Sequence, residues 1–437
     1  MTSQFRRRPA LVAATAAMTA LVVSACSSGT EEEGGSEAPA SSGSFEYLSL
    51  AENSAVQDTL AALSEDQCTA ADETAALEVT TQPQASFDQQ MQLLAGQGAL
   101  PTLFAAGNSP QVIKDIHGSG QLVDIDAALE ELGHPDAIIP AARSTVESLY
   151  DGELYVLPTE FNVEGIWYNE DLFEEHGVTA PTTWDDLVAS AQTLSDAGVT
   201  PFAAAGKDGW PLTRLVGNYI FRSLGPDAMQ AVADGEASLT DPEYVEAAAA
   251  VAELGAGEFF GPSVGSIDYT TAMNQFLNGE AAMFYMGSWA LANFNDPTQN
   301  TIGEGSIGFI PFPDVEGGEG DSTQLAANVG VPLAMAQNAY DAGAQEWLGC
   351  IAEHFGGESL TEQGVITGFA AEAEATDLPP LTGVVQDRIA TAETTVLWFE
   401  ALFDSKAQTT SYTNAQLLVT GQMSPEDFMA AVQADLG

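Results

Sequence analysis

Positive charge is almost missing from this chain. Ten Lys and Arg stand against 63 Asp and Glu, a formal net charge of -53. Nucleic-acid binding needs a basic face, so the composition argues against such a partner. The same field disfavours a strongly anionic ligand. Cysteine is scarce as well, with three in 437 residues, and the four histidines (His117, His134, His176, His354) are scattered. Neither type makes a cluster with metal-ligand spacing, so no metal and no cofactor is expected. There is no G-x-x-x-x-G-K phosphate loop, no G-x-S-x-G elbow and no H-E-x-x-H helix. A glycosidase needs only two carboxylates, so acid pairs in a chain this acidic carry no signal. Beyond the first 25 residues, no segment is apolar and long enough to span a bilayer.

What is present is a globular composition, 45% hydrophobic and 8% aromatic, long enough for two domains. Residues 1–25 are a separate object. Arg6, Arg7 and Arg8 precede an uninterrupted run of small and apolar residues that is too short to span, the pattern of an export signal. It ends in "LVVSAC", which resembles a bacterial lipobox. That resemblance implies cleavage before Cys26 and lipid on Cys26. The Gly-, Ser-, Pro- and Glu-rich stretch over 26–43 predicts a flexible tether. The expected location is the extracellular face of the cytoplasmic membrane, with the lipid anchor as the only membrane contact. Cys68 and Cys350 then sit in a disulfide-permissive compartment. A bridge and two separate buried thiols both remain open.

The folded part predicts an α/β architecture. Strand patterns at 45–51, 76–82 and 101–107 alternate with helical ones at 55–65 and 86–98. Further strands are expected at 152–158, 164–169, 200–206, 307–313 and 329–335. Helices are expected at 181–198, where Thr183 can cap, and at 342–357 and 424–436. Several strands end at glycines followed by polar or aromatic residues: "AAGN", "AAGKDGW", "MGSW". Ligands bind beyond the carboxyl ends of strands in open α/β sheets, and between domains in two-domain proteins.

Two longer stretches add to this. "YDGELYVLPTEFNVEGIWYNEDLFEEHGVTAPTTWDDLVASAQTL" (150–194) joins a D-G-x-x-Y-x-L-P strand, a Y-N-x-D-L-F stretch and a P-x-T-W-D-D helix start. "FLNGEAAMFYMGSWAL" (276–291) carries an F-x-x-G-x-A-A-M strand and a G-S-W turn. Together they resemble the carbohydrate-type bacterial extracellular solute-binding proteins, the group that includes the maltose-binding protein. The resemblance implies a two-lobed periplasmic-binding-protein-like fold with a hinge and an interlobe ligand cleft. It places 44–157 plus 305–338 in the N-terminal lobe and 158–304 plus 339–437 in the C-terminal lobe. It implies a monomeric receptor, not an enzyme, whose partners are a small-molecule carbohydrate and the permease subunits of an ABC importer. By motif position the ligand candidates are Glu52, Asn53, Gly107, Asn108, Glu160, Phe161, Asn162, Asp208, Trp210, Gly287, Ser288, Trp289, Asn328, Trp398 and Glu400, with Lys207 beside them.

These residue types suit a sugar. Its C–H faces pack on flat aromatic rings, and carboxylates and amides bond its hydroxyl rim. Trp184 and Trp347 lie on apolar helix stripes and Trp167 inside a strand, so these three read as core. Lys207 is the one basic residue on the candidate loops, which favours a neutral ligand. The "AAGN" loop lacks the Trp, Asp and Arg found near this point in the maltose binder, which argues against maltose itself. A non-sugar solute on the same fold and an anchored glycoside hydrolase are the competing readings.

Overall fold

The computed structural model describes residues 39–51, 54–107, 109–371, 378–392 and 394–436. The signal over 1–25, Cys26 and the tether up to residue 38 lie outside them. Residues 39–43 differ from the expected loose tether, because they are pinned to the fold. Asp341 caps the helix Ala342–Gln363 by accepting from Ala344 N at 3.0 Å, and its second oxygen accepts from Ser42 N at 2.6 Å. Ala342 N donates to Pro39 O, and Ser41 Oγ to Thr74 O.

Among the described residues, ten strands make two sheets: β1 Ser44–Leu50, β2 Ala76–Gln82, β3 Leu103–Ala105, β4 Asn162–Asn169, β5 Thr200–Ala203, β6 Ala281–Gly287, β7 Ile307–Ile310, β8 Gln324–Asn328, β9 Leu333–Met335 and β10 Thr394–Val396. One sheet has the order β2-β1-β3-β9. The other runs β10-β8-β4-β6-β5, with β7 also paired to β4. The strands β1, β2 and β3 are parallel, as the β-α-β-α-β rhythm predicts, and β9 joins antiparallel. β4 is central to the second sheet and buried almost throughout, which suits its apolar run "GIW".

Three expectations change. Over 152–158 only Leu157 makes a ladder contact, an isolated bridge to Leu333. The expected strand 329–335 is broken. β8 ends at Asn328, Gly330 takes φ +58°, and β9 begins at Leu333 after Pro332. Pro lacks the donor a ladder needs, and Gly tolerates the left-handed turn, so the chain leaves one sheet and enters the other there.

The segment boundaries differ for the same reason. β7 and β8 pair with β4, so both strands lie in the six-stranded sheet and not with β1–β3. The helix Ala342–Gln363, expected in the C-terminal lobe, packs on the first sheet. Its Trp347 stacks on Phe45 of β1 at 4.9 Å and donates to Ala75 O, and Cys350 is joined to Cys68 by a disulfide.

Among the described residues, three segments therefore cross between the sheets. Residues 157–162 and 328–333 run antiparallel, with Asn162 opposite Asn328. The third, 364–371, follows the Ala342–Gln363 helix; Phe161 N donates to Ile366 O and Gly368 N to Pro158 O, each at 2.8 Å. Trp167, Trp184 and Trp347 are all buried, as expected of core residues. Thr183 caps the helix Trp184–Asp196, accepting from Asp186 N at 3.2 Å.

Candidate functional site

The site starts from β6. Its run Ala281–Gly287 is wholly buried, and Gly287 ends it in extended backbone. The chain turns at Ser288, and the Trp289 indole folds back across Gly287. A Cβ at 287 would lie 2.0 Å from the Trp289 ring. Only a residue without a side chain leaves room for that indole. Trp289 then meets Trp210, with ring centroids 5.9 Å apart.

Trp210 comes from the second motif. "GKDGW" follows β5, and Gly209, with φ +78°, lets the chain turn hard into the helix Trp210–Leu224. A Cβ at Gly209 would collide with the Tyr412 backbone, so that close approach also requires glycine. Tyr269 lies 6.1 Å from Trp210. Burial pushes the Tyr269 hydroxyl up to about 12, against a hydrogen bond from Trp289. Trp398, from the loop after β10, joins through Arg214. That guanidinium carbon sits 5.6 Å from the Trp210 ring and 5.1 Å from the Trp398 ring. All three tryptophans keep part of their surface exposed. Amphipathic rings so placed are unlike the buried core tryptophans.

A polar row runs beside the rings. Asn162 Nδ2 donates to Glu160 at 3.2 Å and to Asn328 at 3.4 Å. Asn328 Nδ2 donates to Glu164 Oε1 at 3.2 Å. Glu164 is buried near the start of β4 and also accepts from Arg214 Nη1 and, at 3.0 Å, from the Tyr285 hydroxyl. Burial opposes the charge on Arg214, but Glu164 and then Glu400 outweigh it and hold the guanidinium charged. Glu400 is itself fully buried. Burial raises its carboxyl above the usual range, against the pull of Arg214, and Ser411 donates to it at 2.7 Å. Gly330 completes the row: a Cβ there would meet Glu160 Oε2 at 2.3 Å.

The expected residues separate accordingly. Glu160, Asn162, Trp210, Ser288, Trp289, Asn328 and Trp398 are linked by the contacts above, and Gly287 makes room for one of them. Asp208 is half-buried and accepts from Tyr269 N at 2.6 Å, so one carboxylate oxygen braces the aromatic ring's own backbone. Phe161 is corrected: it is fully buried in the core and offers no face to a ligand. Ser288 is buried between Val163 N and Asn162, and Glu400 lies behind Arg214, so both support the wall from behind. Lys207 is exposed and pairs with Asp268 at 3.4 Å. Gly107 adopts φ +78° against Asp88, while Glu52, Asn53 and Asn108 lie outside the described residues. Arg214, Glu164, Tyr269 and Tyr285 were not among the candidates. Arg214 stands one helical turn beyond Trp210, and Glu164 is a lone charge in an apolar strand; both are readable signals. Among the described residues no group of three or more His, Cys, Asp or Glu could hold a metal ion.

Residues 59–354 match the family of bacterial extracellular solute-binding proteins. The chain belongs to that family. This solute-binding protein is 28% identical over 209 residues to an uncharacterized ABC transporter extracellular-binding protein of Pyrococcus horikoshii, covering 47% of this chain and 46% of the relative. It is 26% identical over 211 residues to a probable sugar-binding periplasmic protein of Mesorhizobium japonicum, covering 46% and 49%. It spans about half the length of the curated relatives it matches. Among solved structures, a chitin oligosaccharide binding protein superposes with a TM-score of 0.75 at 25% identity, covering 90% of this chain and 97% of that one. The fold is the two-lobed one of these proteins. Among the described residues, no helix of the solute-binding protein is long and apolar enough to cross a membrane.

Proposed function

We propose that this solute-binding protein is the receptor of an ABC importer, binding a neutral carbohydrate, an oligosaccharide by preference, against the Trp210–Trp289–Trp398 wall. The convergence of those three part-exposed tryptophans beside Glu160, Asn162 and Asp208 carries the reading. Indole faces bury sugar C–H surface, and the carboxylates and amide accept or donate to hydroxyls. The relatives named for sugar binding support it.

Glu52, Asn53, Gly107 and Asn108 would close the site from the lobe of β1–β3, and the three crossing segments would serve as the hinge. Cys26 would carry the lipid that tethers the receptor outside the membrane, and the closed form would be read by the permease. Glu164 and Glu400, the two wholly buried carboxylates of the wall, are engaged by Arg214, Tyr285 and Ser411, which favours binding over hydrolysis.

The test is a thermal-shift screen of neutral mono- and oligosaccharides, followed by calorimetry. A ligand at about 100 times its Kd stabilises by roughly 2.7 kcal/mol, a plain upward shift in Tm. A shift with a cation or a peptide and with no sugar would overturn the assignment, and release of free sugar from a bound glycoside would overturn the binder reading.

A further inference from the structure

Arg214 meets the site at several points at once. Its guanidinium lies against Trp210 and against Trp398, two rings 188 positions apart in the chain. Nη1 donates to Glu164 Oε1, the same oxygen that receives Asn328 Nδ2 from the crossing segment. Asn218, one turn further along the helix, donates both to the Arg214 carbonyl and to Tyr285, which in turn donates to Glu164. The Arg214 side chain is 12% exposed and Glu164 1%. A planar cation can lie flat on two indoles while its edge engages a carboxylate; an ammonium cannot do both.

We propose that Arg214 is the positioning residue of the ligand wall. It holds Trp210 and Trp398 in fixed relation by cation–π contact, Glu164 fixes the guanidinium, and Asn328 ties the assembly to the crossing segment. The ligand touches the rings and not the guanidinium, so Arg214 acts through them. This rests on the reading of that wall as the carbohydrate site.

Two variants test it. R214K keeps the charge and loses the flat fork. The double variant R214Q/E164Q removes both charges together, so no buried carboxylate is left unpaired. Near-ultraviolet circular dichroism of the ligand-free proteins reads the tryptophan environment, and calorimetry reads the Kd of a neutral oligosaccharide that binds the wild type. Both variants are expected to melt cooperatively. Their tryptophan bands should change, and Kd should rise roughly ten-fold or more, the scale of a desolvated cation–π contact.

Wild-type bands and wild-type Kd in R214K overturn the proposal, as does an unchanged Kd beside changed bands. A shift in Tm alone marks the pair as structural and also overturns it. Should the double variant not fold, R214K decides. Should the wild type bind no neutral sugar, the carbohydrate reading fails separately, and the ligand-free bands of R214K still decide whether Arg214 sets the rings.

Discussion

Gly287→Ala is the smallest change that reaches the wall without touching a ligand group. The backbone at 287 is extended, with φ -90° and ψ 167°, so alanine adopts it freely. The new Cβ, however, would lie 2.0, 2.3 and 2.4 Å from three atoms of the Trp289 six-membered ring. Carbon atoms pack at about 3.5–4.0 Å, so the indole edge must retreat by about 1.5 Å or more. Trp289 is part-exposed and can swing, so the fold should lose no more than about 1–2 kcal/mol, mostly from disturbed packing on Trp210. The platform, in contrast, is displaced outright. Truncating a buried aromatic anchor costs about 2 kcal/mol or more. At about 1.4 kcal/mol per factor of ten, Kd should rise about 30-fold. Calorimetry with the wild-type ligand measures it, and a melting curve checks the fold. Trp289→Ala should show a similar loss, and G287A/W289A should match W289A alone, because the collision is gone. Wild-type affinity in G287A would refute the platform role, and loss of folding in W289A would make Trp289 a core residue.

The disulfide closes a span of 282 residues but lies within the lobe of β1–β3, so C68S/C350S should lose about 3–5 kcal/mol of stability with ligand affinity unchanged, read by denaturant titration with and without sugar. Glu400 has a carboxyl raised by burial above the ordinary 4.5, so the folded protein binds a proton that the unfolded chain releases; its contribution improves as pH falls through the folded value and levels off below 4.5. E400Q should therefore melt above the wild type at neutral pH, with the gap closing in acid, and a constant gap would count against the assignment. Gly330→Ala would place a methyl against Glu160 at φ +58° and should cost about 1–3 kcal/mol while also weakening ligand binding, read by the same two assays.

The sequence made the local rhythm visible and the long-range pairing invisible. β1, β2 and β3 announce themselves through periodicity, and their parallel order follows from the intervening helices. Nothing local says that β7 and β8 join β4, because register between strands more than 130 residues apart is settled by which faces remain to be buried. The Ala342–Gln363 helix likewise shows its apolar stripe in sequence but not the sheet it covers; Phe45 and Cys68 decide that from almost 300 residues away. In the wall, the glycine-then-tryptophan breaks pointed to Trp210 and Trp289 because a glycine there serves a close approach. Arg214 lies not on a loop but one turn into the helix that the "GKDGW" loop begins.

A cation beside the proposed ligand wall, such as Arg214, ordinarily favours an anionic ligand over a neutral one. Its surroundings restore the case for a neutral ligand. Ten basic residues occur in the chain and three precede residue 9, leaving seven in the rest. Of those seven, Arg222 is buried and the Arg214 side chain is 12% exposed; Glu164 contacts Arg214 with Glu400 nearby, whereas Arg222 has Asp314 at 4.0 Å and burial pushes its guanidinium down to about 10. Burial of a guanidinium is tolerable only when it is compensated in place. Arg214 is matched by one carboxylate in contact and a second nearby, and its guanidinium carbon lies 5.6 Å and 5.1 Å from two indole rings. Two part-exposed carboxylates, Glu160 and Asp208, stand beside the same wall. On the proposed reading, a uronic acid should bind there more weakly than a neutral sugar of the same size. Affinity that rises when a ligand hydroxymethyl is oxidised to a carboxylate would show that the compensation is incomplete.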